Sequence, residues 1–279
     1  MAKRDLYRNR DFIPDFDAIM EETEARSRAF ADTMRVERNV TYGPTGRQSI
    51  DLVFPPDPAP GAPLHMFIHG GYWRAGSKET HTHVAAPVIA AGGIAALASY
   101  DLMPGTRLAE IVAQVRSAAR HLVQMAPGIG ADPARFTVSG HSAGAHLASL
   151  LASEAPGDAD PPDLPHLRGM LLVSGIYDLS GIPGSFLKDE ARMNEEEAQA
   201  WSPLLARHLA GPQRIITRGE EETAPFHNQA MALNAMLDRE GQATELRIEP
   251  NRNHLTIVFD LADPGAPLGR RLHDLVRSS

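Results

Sequence analysis

FTVSGHSAGAHLAS, residues 136–149, decides how the rest of the chain is read. Phe136 to Ser139 have the character of a buried strand, Gly140 to Gly144 follow at once, and a helical run from Ala145 to Ser153 comes directly after. Gly-x-Ser-x-Gly between a strand and a helix sets the serine on a sharp turn with its hydroxyl exposed. Glycines flank it because such a turn brings backbone close on both sides, where a Cβ has no room. A five-residue Gly/Ser match occurs by chance in loops, but with this strand and helix around it Ser142 is the expected nucleophile.

Working outward, short apolar runs recur at His65–His69, Ile94–Tyr100, Met170–Ser174 and Arg214–Thr217, each with the length of a buried strand. Between two of them Leu108, Ile111, Val112, Val115, Ala119, Leu122 and Val123 step by three and four, the mark of a helix covering a sheet, and Pro127 and Gly128 end it. Val36–Tyr42 and Ser49–Phe54 flank turn residues and read as an antiparallel hairpin at the sheet edge. Pro225–Arg239 and Leu268–Arg277 read as helices and Thr244–Glu249 as a last strand. The expectation is an α/β fold with a mostly parallel central sheet flanked by helices, residues 1–279 forming one domain. An N-terminal arm (1–34), helical around Phe16–Met34, and the stretch 181–200 stand outside the alternation and are candidates for covering a site, the latter as a cap insertion.

Composition narrows the chemistry. Lys plus Arg number 27 against 35 Asp plus Glu, a formal charge of -8 that repels phosphate backbones, so nucleic acid is not an expected partner. Cysteine is absent, which removes thiolate nucleophiles and Cys-ligated metals and leaves an oxygen or a lysine to attack. The charged opening MAKRDLYRNRDF lacks the apolar stretch of a secretory signal, and the longest uncharged run, Val84–Tyr100, is broken by Pro87, Gly92 and Gly93. A cytoplasmic protein without a membrane partner is expected.

Four further signals surround the serine. HGGYW, His69–Trp73, follows an apolar strand, where hydrolases of this architecture offer backbone N–H groups to an oxyanion. The expected donors are Gly71 or Tyr72, with Ala143 after the nucleophile. The base should come late in the chain, and His254, just after the strand ELRIEP, is the histidine at a late strand end; His208, His227 and His273 fall inside expected helices. Glu222 is the favoured acid, third after Gly219 at the end of RIIT, with Asp178 in SGIYDL one strand earlier as the rival. His81 and His83 form a weak metal pair without carboxylates at ligand spacing, so no metal and no cofactor are expected.

The sequence resembles the serine-dependent arylformamidases, or kynurenine formamidases, of the α/β-hydrolase superfamily. The resemblance runs through YRNRDFIPDF (Tyr7–Phe16), YGPTGRQSIDLVFP (Tyr42–Pro55), HGGYW, YDLMP (Tyr100–Pro104), DPARFTVSGHSAGAHLA, SGIYDL and NHLTIVFDLADPGAPL. HGGYW sets this group apart from the HGGG esterases. The resemblance implies a serine triad, an oxyanion hole at HGG, no metal, and hydrolysis of N-formyl-kynurenine to kynurenine and formate.

The expected activity is therefore cleavage of a small-molecule amide or ester through an acyl-enzyme, arylformamidase-like. The alternatives are a carboxylesterase acting on short-acyl or aryl esters and, from another class, a catalytically silent binding protein on the same fold. Tyr72 and Trp73, beside the oxyanion loop, are candidate flat walls for an aryl substrate. Their other reading is packing against the arm and the 181–200 stretch. Arg74 reads as solvent-facing, with a substrate carboxylate as its other partner, and a homodimer stays open.

Overall fold

Continuous apolar runs, rather than alternating ones, put the middle strands between two helical layers, and in the computed structural model, which describes residues 4–279, they lie there. The first three residues of the arm lie outside the described residues. Among the described residues ten strands form: β1 (Arg35–Thr41), β2 (Ser49–Phe54), β3 (Ala62–Ile68), β4 (Ile94–Ala98), β5 (Ala131–His141), β6 (Ser153–Glu154), β7 (Leu167–Val173), β8 (Arg207–His208), β9 (Gln213–Gly219) and β10 (Thr244–Glu249). Eight make one sheet in the order β1-β2-β4-β3-β5-β7-β9-β10. β2 runs antiparallel to β1 and β4, and every other neighbouring pair is parallel. The edge hairpin is the one expected. β6 and β8 form a separate antiparallel pair, so His208 sits on a strand and not on a helix.

One face of the sheet carries the helices Leu108–Met125, Ala143–Ser149 and Ala224–Arg239, whose Leu108, Ile111, Val115, Leu122, Leu147 and Leu233 are buried in a single apolar cluster. The other face carries Ala86–Ala90, Ile257–Ala262 and Pro267–Arg277 over Phe67, Leu97, Leu171 and Ile215. At about 25 cal/mol per Å², burial of whole Leu and Ile side chains stabilises by roughly 1.5–3 kcal/mol each, which binds both layers to the sheet. The helix Leu108–Met125 begins with its first N–H donating to Glu197 Oε1 at 2.9 Å. It ends at Met125, just before the Pro127 and Gly128 expected to stop it, and Gly130 then takes the left-handed φ of 84° that closes the 3-10 turn Ala126–Ile129.

The stretch 181–200 does not stand off as a separate lid. Ile182, Leu187, Ala191, Met193 and Ala198 are buried in the main cluster, and Glu197 pairs with Arg107. Among the described residues no helix is long and apolar enough to cross a membrane.

Candidate active site

β5 delivers its last residue, His141, to the carboxyl edge of the sheet, and the chain reverses at once into helix Ala143–Ser149. Ser142 takes φ 57° and ψ -120°, a strained conformation for a residue with a Cβ. Two glycines make it feasible. A Cβ on Gly140 would stand 2.2 Å from Gly144 O, and one on Gly144 would stand 2.0 Å from Ile68 O. The turn is over-determined by Ser142 N–H donating to Val173 O at 2.8 Å, while Ser142 O accepts from Ala145 and His146. As the opening residue of a helix, Ala143 has an N–H without an intrahelical acceptor.

The HGGYW loop lies against this turn, a Cβ built on Gly70 coming to 3.0 Å from Ser142 Cβ. His69 donates from Nδ1 to Gly70 O and stacks on Tyr100 at 4.4 Å, and Tyr100 donates its hydroxyl proton to His69 O. Burial lowers the His69 imidazole to about 3, so it is a neutral strut. Gly71 at φ 113°, Tyr72 at 52° and Trp73 at 58° then turn the backbone through three successive positive-φ residues. The N–H groups of Gly71 and Tyr72 donate to no acceptor among the described residues. They remain available, beside Ser142, to an oxygen from outside.

His254 comes from the loop after β10, where Asn253 Oδ1 accepts from Leu255 and Thr256 N–H at 2.9 Å each and fixes the turn. Its Nε2 lies 2.9 Å from Ser142 Oγ and its Nδ1 lies 3.1 Å from Glu222 Oε2. Glu222 accepts at its other oxygen, Oε1, from Ser174 Oγ at 2.5 Å and from Gly219 N–H at 2.8 Å. The carboxylate side chain is fully buried, and Ser142 and His254 are 3% and 4% exposed. Nδ1–H toward the carboxylate leaves the Nε2 lone pair for the serine proton. The ring is further held by Phe226 at 4.3 Å and His141 at 4.8 Å, and His141 Nε2 donates to His254 O. Burial, with His254 next to it, keeps His141 well below the usual histidine range and therefore neutral.

The structure thus brings Ser142, His254, Glu222, Gly71, Tyr72 and Ala143 together, and it separates others. Asp178 accepts from Ser180 N–H at 2.9 Å and makes no contact with His254 among the described residues. Trp73, expected as a flat wall for an aryl substrate, is instead fully buried and presents no surface to one. Its Nε1 donates to His146 Nδ1 at 3.1 Å, and His146 Nε2–H donates to Trp201 O, so it packs inward as a tie between the loop, the elbow helix and Trp201, the residue just past the 181–200 stretch. Tyr72, half-buried, instead meets Phe186 edge-on at 5.6 Å. Arg74 pairs with Glu190 at 2.6 Å at the surface, its side chain still 34% exposed.

His81 binds Ser77 O and Thr80 Oγ1, His83 binds Ser27 Oγ, and no group of three potential metal ligands occurs among the described residues. Sequence reasoning missed Ser174, which orients Glu222 from φ 52° at the end of β7; its place one residue past an apolar run was the available signal. Of the arm 1–34 expected near the site, residues 5–8 approach it and the helix Phe16–Ala31 does not. The helix packs instead on Glu79–Ala85.

Residues 50–237 match the BD-FAE family model. Kynurenine formamidase of Salmo salar is 30% identical over 252 residues, 88% of this chain and 82% of that protein. The Danio rerio kynurenine formamidase is 27% identical over 91% and 85%. Carboxylesterase NlhH of Mycobacterium tuberculosis is 30% identical over 87% and 82%. Among solved structures, a Silicibacter protein aligns with a TM-score of 0.81 at 25% identity, covering 95% of this chain and 96% of that one. An esterase of Pyrobaculum calidifontis aligns at 0.73 with 18% identity over 94% and 93%, a likeness of fold.

Proposed function

From the premise that the chain belongs to the BD-FAE family, has the α/β-hydrolase fold and is a hydrolase of the kynurenine formamidase or carboxylesterase kind, we propose that it cleaves an N-formyl aryl amide through an acyl-enzyme on Ser142. Ser142 Oγ attacks the formyl carbon as His254 Nε2 takes its proton. The carbonyl oxygen becomes an oxyanion that accepts from Ala143 N–H and from Gly71 or Tyr72 N–H. Collapse breaks the C–N bond, His254 returns the proton to the leaving aryl amine, and water repeats the sequence to release formate. Glu222 keeps the imidazole in the tautomer that the first step needs.

The observation that carries this reading is the buried relay of 2.9 and 3.1 Å beside unengaged backbone N–H groups. It also argues against a silent binding protein, since each member of the relay is present and aligned. Tyr72, Phe186 and Phe226 around the site favour an aryl group over an aliphatic one. The carboxylesterase reading is supported by the 30% identity to the mycobacterial enzyme and uses the same steps with an alcohol as leaving group.

The test is kcat/KM of the purified protein on N-formyl-kynurenine against a short aryl ester, with Ser142→Ala alongside. The expected result is a ratio in favour of the formamide and a loss on the order of 10⁶ in the variant. No turnover of any N-formyl aryl amide moves the choice to the esterase. Activity of Ser142→Ala within about tenfold of wild type removes the acyl-enzyme mechanism.

A further inference from the structure

Two consecutive residues with side chains, Tyr72 and Trp73, sit in the left-handed region, each costing roughly 1–2 kcal/mol of strain, and such conformations persist only where the surroundings over-determine them. Trp73 is held three ways: by burial, by its indole bond to His146, and by Met103 N–H donating to Trp73 O at 2.9 Å. Tyr72 is not. Its backbone N–H and C=O engage nothing among the described residues, and its one polar tie is the side-chain hydroxyl, which donates to Tyr7 O at 2.5 Å. Burial raises that hydroxyl well above its ordinary value, so it stays protonated and able to donate.

Tyr7 belongs to a short segment that is itself fastened at several points. Asp5 accepts at Oδ1 from Tyr7 N–H at 2.9 Å and at Oδ2 from Phe186 N–H at 2.5 Å. Gln229 Nε2 donates to the Tyr7 hydroxyl at 3.0 Å, and a Cβ on Gly181 would stand 2.7 Å from the Tyr7 ring. At the far side Thr223, next in sequence to Glu222, donates its hydroxyl proton to Leu6 O at 2.6 Å. One three-residue segment therefore touches the loop that offers the oxyanion N–H and the loop that carries the acid, which are about 150 residues apart in sequence.

We propose that Asp5–Tyr7 is a positioning strap for catalysis, in which the Tyr72 hydroxyl bonded to the Tyr7 carbonyl holds the HGGYW backbone where its N–H groups meet the developing oxyanion. The proposal rests on the Ser142 acyl-enzyme reading. Tyr72 acts here as a positioning residue through its phenol, whatever its ring also offers to substrate. A hydrogen-bond donor displaced by a fraction of an ångström weakens in the transition state while the ground-state substrate, held elsewhere, is bound as before.

The experiment compares wild type, Tyr72→Phe, Thr223→Val and the double variant, reading kcat and KM on a formyl aryl amide and the inhibition constant of an aryl trifluoromethyl ketone. That ketone adds Ser142 Oγ to its carbonyl carbon, the serine proton passing to His254, and so presents a true oxyanion to the loop. Tyr72→Phe keeps the ring and should lower kcat by about 10- to 100-fold, below the 10²–10³ of a donor removed outright, with KM within about twofold. Ketone affinity should fall by the same factor. Thr223→Val should show a smaller loss in the same two readouts, and the double variant should lose less than the product of the two, because both loosen one strap. Unchanged ketone affinity in Tyr72→Phe, a loss confined to KM, or losses that multiply independently overturn the strap. Equal ketone binding by wild type and Ser142→Ala overturns the underlying mechanism instead, so the two failures are told apart.

Discussion

Glu222→Gln is an isosteric change whose consequence can be worked out atom by atom. Ser174 Oγ and Gly219 N–H both donate to Oε1, at 2.5 and 2.8 Å. In the glutamine variant that position must be filled by the amide oxygen, since the amide nitrogen would face two donors in a fully buried place. The NH₂ group is then forced into the Oε2 position, 3.1 Å from His254 Nδ1. Nδ1 must accept, the ring proton moves to Nε2, and Nε2 points a hydrogen at Ser142 Oγ where a lone pair is required. The analogous change in a serine protease lowers kcat by about 10⁴, and the same wrong tautomer predicts a loss of that order here, equivalent to roughly 5.4 kcal/mol at 1.36 kcal/mol per tenfold. The assay is steady-state kcat on the formamide and on a short aryl ester, with thermal unfolding alongside. Tm should stay within a few degrees because shape and packing are kept, and Asp178→Asn, whose carboxylate serves its own turn, should stay within a few-fold in rate. Glu222→Gln within tenfold of wild type, or Asp178→Asn as the more damaged variant, would refute the tautomer argument.

Two further expectations concern stability. Trp73→Ala should act on folding and not on selectivity. Loss of a fully buried Trp costs about 3–5 kcal/mol, the buried His146 Nδ1 left without its donor adds about 1–3, and at 2–4 °C per kcal/mol Tm should fall by on the order of 10 °C or more. A formamide-to-ester preference altered more than about threefold with Tm intact would put Trp73 back against the substrate. Acid should unfold the protein through its histidines. Burial lowers His65, His69 and His83 to about 3 and His146 and His208 to about 4, all below the unfolded value near 6.5. Below pH 6.5 the unfolded chain binds protons that the fold excludes, so stability is full above that pH and falls as pH drops toward 4, by about 1.4 kcal/mol per pH unit for each such histidine. A Tm that holds level from pH 7.5 to 4.5 would contradict these burials.

Strands and layers were legible because buried parallel strands write themselves as uninterrupted apolar runs, and the elbow because only Gly fits on either side of Ser142. His254 was legible from chain order. Glu222 was favoured over Asp178 by its spacing from Gly219 alone; what sets them apart in space is which strand end Ser174 and Gly219 face. The two readings of Trp73, substrate wall and inward packing, are inseparable in sequence for a related reason. Adjacent aromatics suggest one wall, but successive positive-φ residues send Tyr72 toward Phe186 and Trp73 down onto His146, and nothing periodic in HGGYW announces that turn. His208 was assigned to a helix because a two-residue strand has no pattern of its own. The strap was invisible because its bonds run through carbonyls, which every residue owns.

Those bonds also bear on when the protein becomes competent during its own synthesis. Leu6 and Tyr7 wait for Thr223 and Gln229, 217 and 222 positions later in the chain, and Ser142 waits for His254, 112 positions later. Until then Ser142 is without its base, and the amino-terminal segment is without its ties to Thr223 and Gln229. Closure of so long a loop comes late and slowly in folding, which makes the catalytic centre among the last parts of the molecule to be assembled. A chain that ends short of residue 254 keeps Ser142 and lacks the imidazole that takes its proton, so its serine should be inert.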